Sequence, residues 1–440
     1  MLFVMTKVIR QVRKALRPVK RYSWLFWQHV LVPPYVRFNY WRVKRRIRRK
    51  QGKIRVLFPI HELAKWKCQS VFDLMKASDQ FEPIMALSGA DTDWASPRDV
   101  VRSRHRQMRE FFDARGMQWV ETYDIEANRC KSFREFKPDI VFYSQPWGHD
   151  FSQIPSVVSR YALTYYVPYF VPNYSSLYME ISHLFHCTLT RYFVLNKMMA
   201  DEYGAAIPKW MRTSAYIPVG HPMLDYFTEH KDVLCKENYV IYAPHWSIDH
   251  PNNSNNENYS TFLDTGRFML DFAQRHPEFK WVFKPHPTLR FTLLRTGAWT
   301  DREVAEYYQA WEKLGVACYT ADYPALFMQS RLLITDCGSF LAEYSSTGRP
   351  LIRLVSPTVK LGVKKFNERL FNSFYNTKGI TELEAVLDQV LIQNEDLRRN
   401  ERLESVKSAG LSDSHASVNI YRYLVEDLEV RHERCAEFKR

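Results

Sequence analysis

Short apolar runs alternate with helical patterns along most of this chain, and this alternation restricts the fold more than any other feature. The first runs lie at 54–59, 81–87 and 139–143, and helical patterns over 70–77 and 98–115 separate them. Short buried strands that alternate with helices form parallel sheets covered on both faces. The sequence therefore predicts an α/β fold.

The alternation stops at a polar stretch around 229–238 and then starts again. Five further runs predict buried strands: 239–243, 281–283, 316–319, 332–334 and 351–355. Helical patterns separate them, among them one at 302–314, and a helical stretch from 381 to about 406 follows the last run. We therefore predict two Rossmann-like lobes, at 51–232 and 233–420, with a C-terminal tail at 421–440.

Residues 1–50 differ in charge from everything that follows. They hold 15 Lys and Arg and no Asp or Glu, so that residues 51–440 sum to about −1 although the whole chain carries +14. Large aromatic side chains are interspersed with these cations. Four aliphatic residues recur at helical spacing, which predicts a basic amphipathic helix at the start of this leader: Val8, Val12, Leu16 and Val19.

A basic leader with aromatic residues suits an anionic membrane surface, where each cation contributes on the order of 1 kcal/mol. We expect residues 1–50 to attach the protein to the cytoplasmic face of the cell membrane as a peripheral protein. A solvated tail or a helix that binds a partner is one alternative, and RNA binding is another. Because residues 51–440 carry no RNA-recognition, KH or helix-turn-helix signature, no nucleic-acid partner is predicted.

The cysteines and the lengths of the apolar stretches are consistent with the predicted location at the cytoplasmic face of the membrane. The seven cysteines are scattered, and no C-x-x-C pair occurs, so a reducing environment is favoured over a disulfide or zinc framework. No segment reaches the length of a membrane-spanning helix. We predict no metal ligands.

Ligands of parallel sheets bind beyond the carboxyl ends of the strands. After the run at 332–334, residues 335–340 read T-D-C-G-S-F at the predicted start of a helix. Gly338 and Ser339 would offer free N–H groups and a hydroxyl to an anion. Asp336 would hold a ribose or base hydroxyl, and the alternative is that Asp336 or Ser339 only caps the helix.

Two other strand ends carry histidines. Residues 284–287 read K-P-H-P, in which two prolines fix the direction of His286 for phosphate binding or proton donation. His61 follows the first predicted strand, where a two-lobed transferase often keeps its base. A structural role is the alternative for each histidine.

Segments of residues 215–356 together resemble the CDP-glycerol glycerophosphotransferases of teichoic-acid and capsule synthesis. The resemblance rests on motifs in matching order, among them the family's Y-A-P-T-W, K-x-H-P and L-I-T-D-Y-S-S. The corresponding stretches here are G-H-P-M-L-D at 220–225, Y-A-P-H-W at 242–246, K-P-H-P at 284–287, L-I-T-D-C-G-S at 333–339, E-Y at 343–344 and R-P-L-I at 349–352.

The resemblance implies a GT-B fold, a nucleotide-donor site in the C-terminal lobe and an acceptor site in the N-terminal lobe. It implies that His286, Asp336 and Ser339 contact the nucleotide. The full set of expected substrate-binding residues is His245, Lys284, Asp336, Gly338, Ser339 and Glu343, and the expected catalytic residues are His286 and His61. The family's W-H-G-T-P segment has no counterpart with a histidine, since the stretch at 165–169 reads Y-Y-V-P-Y.

The predicted reaction is transfer of glycerol phosphate from CDP-glycerol to a hydroxyl of a lipid-linked glycan or cell-surface polymer. CDP-glycerol would be a donor substrate, and no cofactor is expected. One alternative keeps the fold but uses a nucleotide sugar, as a glycosyltransferase of surface polysaccharide synthesis. The other is a membrane-surface scaffold without activity.

Overall fold

The chain forms two compact units, each built around its own sheet. The computed structural model describes residues 31–89, 93, 96–172, 184–206, 215–232, 235–252, 258–317, 323–359, 362–363 and 367–429. The first unit comprises residues 1–169, 177–218 and 418–440, and the second comprises residues 170–176 and 219–417. The chain therefore passes from the first unit to the second after residue 218, whereas the sequence predicted the boundary at 232.

The first unit contains a parallel sheet of seven strands in the order β3-β2-β1-β6-β7-β8-β9. A two-stranded antiparallel hairpin, β4-β5, follows β3 in the chain. The nine strands of this unit are β1 (Ile54–Ile60), β2 (Phe81–Leu87), β3 (Trp119–Glu121), β4 (Tyr123–Asp124), β5 (Arg129–Cys130), β6 (Ile140–Tyr143), β7 (Leu163–Tyr166), β8 (Arg191–Val194) and β9 (Ala215–Pro218).

Helices connect the parallel strands of the first unit, and a final helix returns to it from the second. These helices are α1 (Val32–Arg48), α2 (Gln69–Ala77), α3 (Arg98–Asp113), α4 (Pro155–Val158), α5 (Leu184–Cys187), α6 (Lys197–Ala206) and α16 (Ala416–Leu428). Residues 421–428, which the sequence assigned to a tail, therefore belong to a helix whose Leu424, Val425 and Leu428 are buried.

The second unit contains a parallel sheet of six strands in the order β12-β11-β10-β13-β14-β15. Counted from β10 as its first strand, this is the order 3-2-1-4-5-6 of the Rossmann fold. The predicted architecture of two Rossmann-like lobes is thus confirmed. The strands are β10 (Tyr239–Ala243), β11 (Trp281–Phe283), β12 (Val316–Ala317), β13 (Ser330–Thr335), β14 (Leu351–Leu354) and β15 (Tyr375–Thr377).

Helices of the second unit lie between its strands and at its C-terminal side. They are α7 (Pro222–Glu229), α8 (Phe262–Arg275), α9 (Leu289–Thr296), α10 (Asp301–Leu314), α11 (Pro324–Met328), α12 (Gly338–Ser345), α13 (Glu368–Asn372), α14 (Gly379–Leu387) and α15 (Arg399–Ser408).

An aromatic core holds the second sheet against its helices. Tyr242, Trp281 and Phe283 project from the strands and are buried, together with Trp311 of α10. The Phe283 and Trp311 rings stack with centroids 5.0 Å apart. Burying such a ring stabilises the fold by about 1.5–3 kcal/mol. These residues therefore hold β10 and β11 in place.

The part of the basic leader that the structure describes is packed into the first unit. In α1, Val36, Tyr40, Val43 and Ile47 recur at helical spacing and are buried. The predicted amphipathic helix at residues 8–19 lies outside the described residues. Within the described ranges, no helix is both apolar and long enough to cross a bilayer.

A buried polar cluster inside the first unit joins α1 to α16. The carboxylate of Asp427 accepts hydrogen bonds from Lys44 (2.9 Å), Tyr40 (3.0 Å) and Arg191 (3.2 Å). Burial opposes its ionisation, but Arg191 and Lys44 outweigh burial and hold the pKa of Asp427 below its ordinary value. One carboxylate therefore joins α1 to α16, two helices that are far apart in the sequence.

Replacing Asp427 by alanine is expected to lower the free energy of unfolding by about 3–5 kcal/mol, because Lys44 and Arg191 would stay buried without their counter-charge. Denaturant unfolding followed by circular dichroism measures this loss. The neighbouring exposed Glu426, changed to alanine, is the control. Equal stability of the two variants would show that the cluster does not join the helices.

Candidate functional site

The order of strands in the second sheet indicates where a ligand binds. Connections leave β10 in one direction and β13 in the other, and in such sheets ligands bind at this switch point, beyond the carboxyl ends of the strands. His245 follows β10 and Asp336 follows β13. Lys284 and His286 follow the adjacent β11. The structure thus brings these four predicted residues to one edge of the second sheet.

Asp336 is buried at this edge and accepts hydrogen bonds with both carboxylate oxygens. Its Oδ1 accepts the backbone N–H of His245 (2.6 Å). Its Oδ2 accepts the Ser260 hydroxyl (2.7 Å) and the backbone N–H of Thr261 (2.8 Å). Burial raises the pKa of Asp336, while these donors act to lower it. Asp336 therefore holds both ends of the connection between β10 and α8 at the end of β13, and both of its carboxylate oxygens accept hydrogen bonds.

His245 is also buried and is held from several sides. Its Nδ1 accepts the backbone N–H of Ser247 (3.3 Å) and lies 2.9 Å from the Ser247 hydroxyl, so that Nε2 carries the hydrogen in the neutral ring. Nε2 lies 3.3 Å from the hydroxyl of Tyr259, whose ring stacks on the imidazole. Burial, and then the nearby His286, lower the pKa of His245 well below its ordinary value. His245 is therefore neutral at pH 7.

His286 is the half-exposed histidine of this edge. Its Nδ1 accepts the backbone N–H of Thr288 (3.1 Å), which leaves the hydrogen on Nε2 when the ring is neutral. Its ring lies 5.1 Å from that of His245. The backbone N–H of His286 donates to the carbonyl of Pro244 (2.9 Å), so β10 and β11 jointly position it. The neutral ring of His286 can therefore donate a hydrogen bond only through Nε2.

Lys284 lies close to the first turn of α12. Its Nζ is 5.8 Å from the centroid of the Phe340 ring and 5.3 Å from that of Tyr323. The Tyr323 hydroxyl in turn donates to the carboxylate of Glu343, which is buried in α12. The predicted substrate-binding Glu343 therefore lies inside the protein, where it supports the ring beside Lys284.

The N-terminus of α12 is the remaining polar feature of the edge. The helix begins at Gly338, and its N-cap residue Cys337 forms no side-chain cap hydrogen bond. The half-buried Ser339 hydroxyl lies 3.2 Å from the Cys337 sulfur. A helix N-terminus of this kind, at the same sheet edge as the lysine and the histidine that follow β11, can bind an anion such as a diphosphate.

The first sheet has an equivalent switch point, between β1 and β6, and His61 lies there. Its Nδ1 donates to the carbonyl of Gly89 (2.7 Å), so Nε2 keeps its lone pair. This buried Nε2 has no hydrogen-bond partner among the residues that the structure describes. Burial, followed by the charges of His149 and Lys65, lowers the pKa of His61 well below its ordinary value.

His149, which follows β6, forms a pair with His61. The two ring centroids are 5.1 Å apart. Nε2 of His149 donates to the Gln145 carbonyl (2.9 Å), and its buried Nδ1 has no partner within the described ranges. Gly148 permits this turn with a φ of +79°, and a Cβ there would lie 3.0 Å from Gln145 Nε2. The pair presents two nitrogens able to accept a proton.

Sequence reasoning missed several of these residues. His149 lies in a polar loop without a recognisable motif, and only the strand order places it beside His61. Ser247, Tyr259 and Ser260 lie in the loops that follow β10, where no spacing pattern indicates their contacts with His245 and Asp336. These residues could be identified only from the switch point, and a switch point is located from the order of strands in the sheet, which the sequence does not give.

Because burial keeps His149 neutral, we expect the free energy of unfolding to decrease in mild acid. Burial lowers the pKa of His149 to about 4, whereas the unfolded chain binds that proton near 6.5. Below about pH 6.5 the unfolded state therefore takes up more protons, and at about pH 5 this single group lowers the free energy of unfolding by about 2 kcal/mol. Urea unfolding at about pH 5 and about pH 7.5 measures the difference.

His149→Gln should reduce this pH dependence, because its side chain does not titrate. The exposed His415, changed to glutamine, is the matched control. An unchanged pH dependence in His149→Gln would show that His149 is protonated in the folded protein.

The fold of the chain is similar to those of several solved structures. No protein-family model matches the chain, and no curated protein matches it. MnaA of S. aureus with UDP is 12% identical, with a TM-score of 0.51, over 87% of this chain and 99% of that one. UDP-GlcNAc 2-epimerase from Neisseria meningitidis, bound to UDP-GlcNAc, is 12% identical, with a TM-score of 0.52, over 85% and 100%.

The wall teichoic acid polymerase TagF is similar over a larger share of this chain. It is 13% identical, with a TM-score of 0.50, over 96% of this chain and 98% of that one. At these identities the likeness establishes the fold alone. The chain has two Rossmann-like lobes of the GT-B type.

Proposed function

We propose that this protein is a transferase that moves glycerol phosphate from CDP-glycerol to a hydroxyl of a lipid-linked glycan or cell-surface polymer. The observation that carries this proposal is the switch-point edge of the second sheet. There α12 begins after β13 without a cap hydrogen bond from the Cys337 side chain, and Lys284 and His286 both follow β11 at the same edge. A nucleoside diphosphate presents the negative charge and acceptor oxygens that such a set binds.

Each group has a distinct part in binding the donor. The N–H groups at Gly338 and Ser339 and the Ser339 hydroxyl donate to phosphate oxygens, and Lys284 supplies a positive charge. His286 donates through Nε2 to the phosphoryl group being transferred. His245 and Asp336 act through the loops that they hold, because their polar atoms bond inside the protein.

The proposed step is a displacement at the β-phosphorus of the donor. The acceptor oxygen forms a bond to this phosphorus, the bond to the bridging oxygen breaks, and CMP leaves with the electron pair. Negative charge spreads over the phosphoryl oxygens in the transition state, where His286 and the N–H groups of α12 stabilise it. The proton of the acceptor hydroxyl goes to His61, the proposed base, whose Nε2 carries a lone pair.

A lipid-linked acceptor would explain why an α/β enzyme carries a basic leader. Residues 1–50 hold 15 Lys and Arg without an acid. In this proposal they bind the anionic cytoplasmic face of the cell membrane, as a peripheral protein does, and so keep the enzyme where its acceptor lies.

A glycosyltransferase that uses a nucleotide sugar is the second candidate. It is favoured by the similar structures of MnaA with UDP and of UDP-GlcNAc 2-epimerase with UDP-GlcNAc bound. The same edge of the second sheet would then bind the diphosphate of a UDP-sugar.

A transfer assay separates the two candidates. Purified full-length protein is incubated with membranes and with CDP-glycerol labelled in the glycerol, or with a labelled UDP-sugar. The first candidate predicts label in the polymer or lipid fraction together with released CMP, from CDP-glycerol only. Label from the UDP-sugar alone would replace it by the second, and no transfer from either would contradict both.

A further inference from the structure

A strongly basic groove lies on the first unit, at the edge of the sheet opposite to His61. The groove has a volume of about 1140 Å³ and is lined by eight Arg and Lys side chains and one carboxylate, that of Asp139. Arg55, near the start of β1, and Asp139, just before β6, place it at the amino-terminal edge of the sheet. We call it the basic groove. Its composition fits a ligand with several phosphate groups.

The single carboxylate does not neutralise the groove. Asp139 is buried, and it accepts hydrogen bonds from Arg46 (3.1 Å), from Lys50 and from the backbone N–H of Arg55 (3.0 Å). Arg45, Arg49 and Lys137 are exposed and form no ion pair within the described part of the chain. These three cations are available to an anion from outside.

An exposed apolar surface on α1 adjoins the basic groove. Along one face of α1, Leu31, Tyr35 and Phe38 are exposed and are followed at helical spacing by Arg42, Arg45 and Arg49. Phe38 is 66% exposed and the adjacent Trp41 is 63% exposed. The opposite face of α1 is buried, so the helix cannot turn these side chains inward. A large exposed apolar patch beside a cationic groove marks an interaction surface.

We propose that this face of α1 docks on an anionic lipid bilayer, with lipid phosphate groups in the basic groove and Leu31, Tyr35, Phe38 and Trp41 at the level of the headgroups. The inference rests on the membrane attachment proposed above and assigns it to particular residues. The apolar side chains lie at one end of the face and the cations at the other, which matches the layers of a bilayer surface. Single-stranded RNA is bound instead by aromatic residues interleaved with cations along a groove.

Cosedimentation of full-length protein with vesicles tests the cationic part. The vesicles contain phosphatidylcholine and phosphatidylglycerol in equal parts, or phosphatidylcholine alone. The combined variant Arg45→Gln, Arg49→Gln and Lys137→Gln should lose on the order of a hundredfold in affinity for the anionic vesicles. The control removes the same charge from exposed lysines of the second unit, as Lys236→Gln, Lys313→Gln and Lys407→Gln.

A second pair of variants tests the apolar part. Tyr35→Ala with Phe38→Ala should weaken binding to the same vesicles at least several-fold, because less apolar area enters the interface. Phe151→Ala with Phe291→Ala, which removes two exposed phenylalanines elsewhere, is the control. Binding of the Tyr35 and Phe38 variant equal to that of its control would overturn the apolar part of the proposal.

Failure of this proposal can be told apart from failure of the proposed reaction. Affinity of the triple groove variant equal to that of its control would overturn the docking surface, whatever the result of the transfer assay. Single-stranded RNA that displaces the wild type from anionic vesicles, but not the groove variant, would reassign the groove to nucleic acid. Stabilisation by the nucleotide donor should be the same in both triple variants, since both keep the second sheet edge intact.

Discussion

Replacing Asp336 by alanine should destabilise the second unit by about 3–5 kcal/mol, because several buried donors would lose their acceptor at once. The N–H groups of His245 and Thr261 and the Ser260 hydroxyl all donate to this carboxylate. The substitution should therefore release the loops after β10, and nucleotide binding should decrease as a consequence.

Denaturant unfolding and nucleotide binding are measured together for this variant. Asp264→Ala, which removes an exposed carboxylate from the same unit, is the control and should change stability by less than about 1 kcal/mol. If Asp336→Ala unfolded like the control and lost only nucleotide binding, Asp336 would contact the ligand directly, as the sequence first indicated.

The second large effect is expected for His286→Ala, which should lower turnover on the order of a hundred- to a thousandfold while the fold is kept. His286 is half-buried, and its ring accepts the backbone N–H of Thr288. The substitution leaves the hydrogen bonds of Asp336 in place, so the fold should be kept. The expected cause of the lost turnover is that the phosphoryl group would lose the hydrogen bond that His286 Nε2 donates in the proposed reaction.

The transfer assay measures this loss, and unfolding curves confirm that the variant is folded. His276→Ala, which changes another histidine of the second unit that pairs with Glu278, serves as the matched control. His286→Gln should recover part of the activity if the role of His286 is hydrogen bonding. Turnover of His286→Ala equal to that of the His276 control would remove His286 from the site.

Much of the fold was predictable because its strands are short apolar runs with clear boundaries. The prediction for β10 matches Tyr239–Ala243, and the helix predicted at 302–314 is observed as Asp301–Leu314. Thr300 and Glu303 form a capping box that defines the start of this helix. Local chemistry specifies such elements without help from the rest of the chain.

Other elements depend on tertiary contacts and were missed. Strand β7 (Leu163–Tyr166) lies in an aromatic run with no boundary signal, and only pairing with β6 and β8 reveals it. The helical stretch predicted from 381 to about 406 is interrupted after Ile392, and Asn394 adopts a left-handed φ of 57°. No glycine or proline marks this interruption in the sequence.

The candidate site was predictable in position but only partly in role. Motifs at the strand ends identified His286, Lys284 and the start of α12, which the structure brings to one edge. Asp336 and Glu343 were expected to bind substrate, yet both are buried and form hydrogen bonds inside the protein. Burial and hydrogen-bond partners are properties of the folded state, and a single sequence does not contain them.

The central claim is that the second sheet edge binds a cytidine nucleotide donor through His286. Thermal unfolding of the full-length protein with CDP-glycerol, CDP, CMP, UDP and UDP-GlcNAc tests it most directly. We predict a shift of several degrees with CDP-glycerol and CDP that is absent in His286→Ala. No shift with any cytidine nucleotide, or an equal shift in His286→Ala, would contradict the claim.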